Sequence, residues 1–588
     1  MVPDGSTGRR AFLAGATGAV AATSGCVGEI RNLTGRQRTR QLSLRISTVP
    51  AGDDPYAVRI ANRLAETLRR SGIETTVDAM SPDVLLRETL VNHDFDIYVA
   101  RYPSQGAADE LWSMLYSAYG EESGWQNPFG FSDISLDELL EDQRAVDGDN
   151  RVAVIKDIQR QLVRDQPFTV VGFPDRIGAT RNDRFDGWPD GGLSEPTDYL
   201  GLSRVSDVES LELLLRNDRI TRNRNPIAAE HRDQGDIIGL LYEPLVRSVE
   251  GSETPIPWLA RSIEFDEDDP STATVQLRQT PWHDGEPLTA RDVSFTYEFL
   301  KDTSLGEFDT PVPTPWRRGR LSLVEDVTVH SDGRFRIEFT TRNRELAYRA
   351  LSVPILPEHV WRERSESADL AGIDLIGQTT DALVDSNEDA IGSGPVEFEE
   401  ATTDESISLV RFEDHFLHSD DTEGIPPRIA GTAAFDRIGF TVAPSHDAAV
   451  QLLVDNEADG VADGLQASVV PRVVRADDVS LTIGESDPFY HVGYNCRRSP
   501  MTDPRFRRAI AQHIDREFIM EASLGGYGTP SELPLKGKWE PQELRWDGEA
   551  SLPFLGEDGE LDVEEARDVF REAGYQYEEG QLVRRGET

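Results

Sequence analysis

The order of hydrophobic patterns along this chain predicts an α/β fold made of two bodies, and three observations carry that expectation. From Leu42 onward, short β-rich runs alternate with amphipathic helical stretches, as crossover connections between neighbouring strands require. A second series of strands and helices begins near Val205. Hydrophobic residues make up 38% of the 588 positions and are spread along the whole length, enough for two or three domains with a core each.

The elements follow in order. LSLRIST, residues 42–48, is alternating and β-rich and reads as the first strand. Asp54-Pro55 supplies an N-cap and a proline at the first helical position, opening a helix with Ile60, Leu64 and Leu68 four residues apart, which Gly72 ends. IETTVDAM, residues 73–80, is the next strand, and Ser81-Pro82 repeats the cap for a helix through Leu90. FDIYV, residues 95–99, is a third strand whose loop RYPSQGAAD leads into another helix. Two more amphipathic helices, Ser135 to Arg144 and Asn150 to Asp165, precede the buried strand FTVVGF. In the second body a helix is expected through LLYEPLVR, residues 240–247. TATVQLR, a turn from Pro281 to Pro287 and a helix from Thr289 to Leu300 come next, with Thr289 and Asp292 approximating a capping box. His283-Asp284-Gly285 is turn chemistry at a hairpin corner. Asp503 and the arginines 505, 507 and 508 cap and charge a helix start, with Asp515-Arg516 at its far end. Asp562 caps a last helix that Gly574 stops.

The 106 acidic residues against 60 basic ones give a formal charge of −46, and lysine occurs at only four positions, 156, 301, 536 and 538. Dispersed acidity on this scale is a solvated surface and repels nucleic acid. In dilute buffer the carboxylates would repel one another, whereas at about 1 M salt the screening length falls to about 3 Å. A halophilic host is therefore expected. The two cysteines, Cys26 and Cys496, make no disulfide framework.

The first residues read as an address. Arg9-Arg10 stand in GRRAFLAG before a short run of small apolar residues and Cys26, so residues 1–26 are expected to be a twin-arginine signal rather than a membrane span. ATSGC, residues 22–26, resembles a lipobox, in which the cysteine thiol receives a lipid after cleavage. The bland alternative is a buried N-terminal helix with a chance arginine pair. Residues 27–41 have the polar, basic composition of a linker and hold an Asn32-Leu33-Thr34 sequon.

Four stretches carry a resemblance to a family. They are PWLARSIEFDEDDPSTATVQLRQTPWHDGEPLTARDVSFTYEFL (257–300), LLYEPLVR (240–247), AIGSGPVEF (390–398) and GYNCRRSPMTDPRFRRAIAQHIDREFI (493–519). In this order they resemble the extracellular solute-binding proteins of family 5, which serve peptide and nickel importers of the ABC type. SGIETTVDAM, HDFDIYVARY, NPFGFSDISLDELL and RQLVRDQPFTVV, all before residue 172, are similar to the C-terminal lobe of that family. There they would follow a helix ending in the pattern that closes here as REAGY at Tyr575. The resemblance thus covers the chain in circularly permuted order.

What the resemblance implies is a type II periplasmic-binding-protein-like fold of two α/β lobes with a hinge and an extra subdomain. One lobe would comprise 42–175 and 487–588, the second 176–247 and 386–486, and the subdomain 248–385. The function implied is that of a monomeric solute receptor of an ABC importer. It would be anchored to the outer face of the membrane through Cys26, bind a peptide or other small solute between the lobes, and deliver it to the permease and ATPase. By motif, Asp109 would pair with a ligand amine and Tyr102 would stand near the aromatic that stacks there. Gly493, Tyr494 and Asn495 would lie on a cleft-facing strand. Alternatively Asp109 caps the following helix, and Tyr494 belongs to the core.

No nucleophile elbow, zinc-protease motif or phosphate-binding loop is present, so no catalytic residue, cofactor or metal is expected. His283 has no second ligand near it, and His415 and His418 read as residues of a solvated loop. A non-transporting receptor and an exported hydrolase are the rival functions.

Overall fold

The computed structural model of the chain describes residues 40–584, apart from 230–234, 250–251, 253, 369–378, 420 and 431–434. The positions Arg9, Arg10, Cys26, Asn32 and Thr588 lie outside the described residues.

Two mixed sheets organise the molecule. The first has six strands in the order Gly528–Pro530, Phe168–Pro174, Phe489–Tyr494, Ile97–Tyr102, Ser43–Thr48 and Glu74–Ala79. The last three are parallel to one another, whereas Phe489–Tyr494 runs antiparallel between Ile97–Tyr102 and Phe168–Pro174. Strands from the two ends of the sequence therefore share one sheet. They share one core too: Leu44, Ile46, Ile60 and Leu64 from the front of the chain pack with Val492, Phe506, Ile510 and Phe570 from the back.

Local chemistry sets several helices as expected, although Ser81 makes no side-chain cap bond and its α-helix, Pro82–Leu86, passes into a π-helical turn, Arg87–Val91. Asp54 accepts from the amides of Tyr56 and Ala57 at the start of Pro55–Arg70. Asp562 does the same for Val563–Glu572, which ends before Gly574 at φ +94°. Asp503 caps Pro504–Ala511, but Asp515 opens a separate helix, Arg516–Leu524, by accepting from Phe518, rather than closing the first one.

Arg40-Gln41, counted with the linker in the sequence, form a strand paired antiparallel with Val583-Arg584. The Leu42 amide bonds the Leu582 carbonyl at 2.8 Å, and the Leu582 amide bonds Gly72 at 2.9 Å.

The second sheet has seven strands, ordered Val396–Thr402, Ser406–Arg411, Arg437–Val442, Ser210–Leu215, Gly460–Val461, Arg176–Thr180 and Ser480–Gly484. A further four-stranded antiparallel sheet, Ala260–Phe265, Thr272–Leu277, Arg334–Phe339 and Val324–Ser331, lies within residues 260–339. Its core is continuous with that of the seven-stranded sheet, through Trp258, Trp282, Val293, Phe335, Leu409 and Ile438.

At this junction the helix expected through LLYEPLVR stops at Leu241. Pro244 biases Glu243 away from helical geometry and bridges instead to Pro354. The fully buried Glu243 carboxylate accepts from Trp258 Nε1 at 2.5 Å, meets His415 Nε2 at 3.1 Å and has Arg247 at 3.8 Å. His415 is thus not the solvated loop residue its acidic neighbours suggested: it is 1% exposed, because a buried carboxylate must be paired. Gly392 and Gly394 lie so close to the carbonyls of Leu241 and Leu240 that a Cβ would sit 1.9 Å from each oxygen. The hairpin corner at Gly285 (φ +88°) and the Thr289–Asp292 capping box form as the sequence indicates.

The chain crosses between the two large sheets twice, through Asp175 and through 485–488, and the strands on either side of these crossings pair with each other. Among the described residues no helix is long and apolar enough to cross a membrane.

Leu582, 0% exposed, ties the C-terminal strand into the first core. Leu582→Ala is expected to lower the unfolding free energy by about 3 kcal/mol in denaturant titration. A change below about 0.5 kcal/mol would mean that this strand is peripheral.

Candidate functional site

The first lobe meets the four-stranded subdomain along a charged seam that begins where the strand Ile97–Tyr102 ends. Its following loop folds back on Glu110, whose carboxylate accepts from Ser104 Oγ at 2.8 Å and from the Gln105 amide at 3.0 Å. Asp109 stands at the N-terminus of the helix Glu110–Leu115 but makes no capping bond with its side chain. Instead Arg144 grips both its oxygens, at 2.7 and 2.8 Å, and Gln143 adds a third bond at 3.0 Å. Arg144 is itself stacked 3.9 Å above the Trp112 ring. It also reaches across the seam to the Gly319 carbonyl (3.0 Å) and Ser322 Oγ (2.8 Å).

Return contacts come from the subdomain. Arg349 Nη2 donates to Glu110 at 3.3 Å, with its Nε 3.9 Å from Asp109. Arg318 pairs with Glu122 at 3.1 Å, and Arg320 bonds Gln105. Gln105, Asp109, Glu110, Trp316, Arg320 and Arg349 line a cavity of about 20 Å³ in the seam, room for about one water.

A second junction involves the seven-stranded lobe. Trp125 Nε1 donates to the Ala229 carbonyl at 3.2 Å, Trp316 Nε1 to Ala228 at 3.1 Å and Arg317 Nη2 to Pro226 at 2.8 Å. On the opposite side the Ala467 amide donates to Tyr56 Oη at 3.0 Å. There the Tyr490 hydroxyl donates to Asp54 at 3.0 Å, and burial pushes the Asp54 carboxyl above its ordinary value.

The residues that the family motif singled out are distributed unevenly over this arrangement. Asp109 lines the seam but is fully engaged by Arg144. Tyr102 is 0% exposed, stacked on Phe489 at 5.3 Å and edge-on to Trp125 at 5.7 Å. Gly493 faces the ring of Tyr98, 2.3 Å from where its Cβ would be, so only glycine fits there. Tyr494 is core, its hydroxyl 2.7 Å from Thr169 Oγ1, and Asn495 bonds the carbonyls of His93 and Phe95 at 2.9 Å. The charged lining from Arg320 and Arg349, and the reach of Arg144 across the seam, were not anticipated. The dense TPWRRGR run, unusual in so acidic a chain, was the available signal.

Burial alone would raise the Asp109 carboxyl, but Arg144 and Arg349 bring it below its ordinary value. A carboxylate depressed in the folded state contributes stability above its unfolded value, near 3.9, and loses it as pH falls through that range. Asp109→Asn leaves Arg144 buried without its anion and is expected to cost about 3–5 kcal/mol at pH 7. The gap to the wild type should narrow as pH drops below about 4 in acid-unfolding curves. Equal gaps at both pH values would dissociate this carboxylate from acid stability.

Residues 254–588, more than half of the chain, match the family model described as bacterial extracellular solute-binding proteins, family 5 middle. Among curated proteins the chain is 24% identical over 398 residues to the probable peptide-binding protein YejA of Agrobacterium fabrum, covering 61% of this chain and 60% of that one. It is 24% identical over 349 residues to the oligopeptide-binding protein AppA of Bacillus subtilis, covering 58% and 55%. The chain spans about half the length of the first of the curated relatives it matches. Among solved structures, AppA of Bacillus subtilis in complex with a nonapeptide aligns at 20% identity and TM-score 0.46, over 64% of this chain and 67% of that one. With a family match over the greater part of its length, the chain belongs to the extracellular solute-binding proteins of family 5.

Proposed function

We propose that the chain is the receptor of an ABC importer, binding a peptide-like solute between its lobes and releasing it unchanged to a permease and ATPase. The observation that carries this reading is the architecture. Two large sheets are joined by only two crossings, and a cavity lined by charged side chains lies in the seam beside them. A solute that touches both sides of the seam favours the closed arrangement by its differential affinity, which is all that closure requires. The names of the relatives, which are peptide-binding proteins, support a peptide-like ligand.

The same reading includes a monomeric protein exported through Arg9-Arg10, held at the membrane by lipid on Cys26 and working in high salt. The RR pair, the ATSGC stretch and the −46 charge support it. Circular permutation belongs to the reading as well. It is supported by the six-stranded sheet that takes strands from both ends of the chain, and by the pairing of Arg40-Gln41 with Val583-Arg584. A family match that runs to residue 588 while the front of the chain lies outside it agrees with this order.

Two measurements test the proposal. A bound solute should co-purify from the host, appear intact by mass spectrometry, and raise the melting temperature when added back; at about 100 times its dissociation constant the stabilisation is about 2.7 kcal/mol. Recovery of a cleaved product, or of no solute at all, would defeat the receptor reading. Cys26→Ser should shift the protein from the membrane fraction to the medium, and unchanged membrane association would remove the lipid anchor.

A further inference from the structure

A second cavity, of about 240 Å³, opens on the first lobe at the N-terminal end of the helix Arg516–Leu524. Its other wall is the segment 546–558, which is folded and fastened down. The Leu555 amide donates to the Gln512 carbonyl at 3.0 Å and Ser551 Oγ to Glu532 at 2.7 Å. Leu555 also packs with Leu561 and Ala566 in a small core of their own. Asp515, which caps the helix, accepts from the Gly559 amide at 2.9 Å and so ties helix and segment together. The seam between the lobes lies elsewhere. At the far end of the helix a Cβ on Gly525 would stand 3.4 Å from Ala467 of the seven-stranded lobe, and nine helical residues span about 13 Å. The two cavities share no lining residue.

The lining combines aromatic surface with uncompensated negative charge. Trp546 and Phe554 are half-buried in its wall, and Glu517, Glu549, Glu557 and Asp558 stand exposed around them. None of these four carboxylates has a hydrogen bond or ion pair among the described residues. The basic residue of the lining, Arg516, is 3% exposed and turned into the sheet, where its Nε donates to the Val170 carbonyl at 2.9 Å. Trp546 is the odd tryptophan of the chain. Elsewhere the protein places a cation of its own over the ring: Arg144 over Trp112, Arg247 over Trp258, Arg364 over Trp361 and Lys538 over Trp539. Trp125 and Trp188 spend their N–H groups on carbonyls. Trp546 has neither a cation, a stacked ring nor a hydrogen bond among the described residues.

We propose that this cavity is a second ligand site, outside the seam, for a small organic cation with an alkylated, weakly hydrated head of the quaternary ammonium type. An indole face set among carboxylates attracts a cation through its quadrupole and through the surrounding field. A metal ion is a poorer fit, because among the described residues no three His, Cys, Asp or Glu side chains converge closely enough to hold one. A quaternary ammonium needs no converging oxygens: its methyl groups rest on Trp546, Phe554 and Pro553 while the carboxylates balance its charge at longer range. Occupancy here does not depend on solute binding between the lobes, and it would add stability to the first lobe in the open and the closed receptor alike.

The test uses the full chain in concentrated potassium chloride, with tetramethylammonium chloride as the probe. Potassium is exchanged for tetramethylammonium at constant ionic strength in a calorimetric titration, and tert-butanol serves as the uncharged probe of similar shape. Wild type should bind tetramethylammonium saturably and tert-butanol at least about tenfold more weakly. Trp546→Leu should lose about tenfold in affinity, and Trp546→Phe should fall between the two. Glu517→Gln combined with Glu557→Gln should lose about threefold or more. All the variants should melt close to wild type, since these side chains have no partner to give up. The proposal is overturned if tetramethylammonium does not saturate against potassium, if tert-butanol binds as tightly, or if Trp546→Leu binds like wild type. Should Trp546→Leu fail to fold, the double glutamine variant decides: wild-type affinity there overturns the site. Binding of hexalysine where tetramethylammonium does not bind would overturn it too, and would make the cavity a contact for a basic protein segment.

Discussion

The insertion of Phe489–Tyr494 between Ile97–Tyr102 and Phe168–Pro174 is the constraint on which the rest of the structure depends. Without it the front of the chain would present a sheet of parallel strands with an open edge, and the back would be helices without a sheet to cover. The register is fixed by a steric fit as well as by backbone bonds: Gly493 lies opposite Tyr98, leaving room for the phenol ring where any side chain would collide with it. Tyr98 is held in turn by His491 at 2.9 Å and by Phe95 edge-on at 5.2 Å. A slip of one residue would turn every side chain of the strand to the wrong face.

A second group of contacts fixes the other half. Glu243, Trp258, His415 and Arg247 come from separate stretches of sequence and meet around one buried carboxylate. This polar knot, with Gly392 and Gly394 pressed on the carbonyls of residues 240 and 241, joins the four-stranded sheet to the seven-stranded one. Residues that a motif search would flag for chemistry serve here as joinery. His283 shows the same: burial lowers its pKa to about 4, and its two ring nitrogens are taken by Gly392 and Gly394.

How much of this was legible in the sequence depended on the range of the interaction. Caps, turns and strand alternation are encoded within a few residues, so Asp54, Asp562, the Thr289–Asp292 box and the bend at Gly285 were readable directly. The end of the helix at Leu241 was missed because the apolar run continues past it, while Pro244 and the partners of Glu243 decide otherwise. An extra short strand, Arg40-Gln41, precedes the expected one because its partner stands more than 500 residues away. The site suffers most from this limit. Asp109 could be named from its motif, but its capture by Arg144, 35 positions on, and the approach of Arg349 from the subdomain have no signature in local spacing. Tyr494 and Asn495 are core because their polar ends are satisfied across the sheet, which only the fold reveals.

The paired crossings between the large sheets have a mechanical meaning. Asp175 and residues 485–488 lie side by side, with Arg176 opposite Gly484 on one side and Gly172 opposite Tyr490 on the other. The Ser486 hydroxyl fastens the two by donating to the Pro174 carbonyl, and Lys536 holds Ser486 from behind at 3.0 Å. Two antiparallel ribbons joined edge to edge behave as a leaf spring: pliant to bending across their plane, stiff to sliding within it, because sliding would break the ladder bonds on both sides together. Such a joint would leave the two lobes essentially one degree of freedom, so that the opening proposed for the receptor would retrace one arc and return Arg317 to Pro226, and Trp125 to Ala229, at each closure.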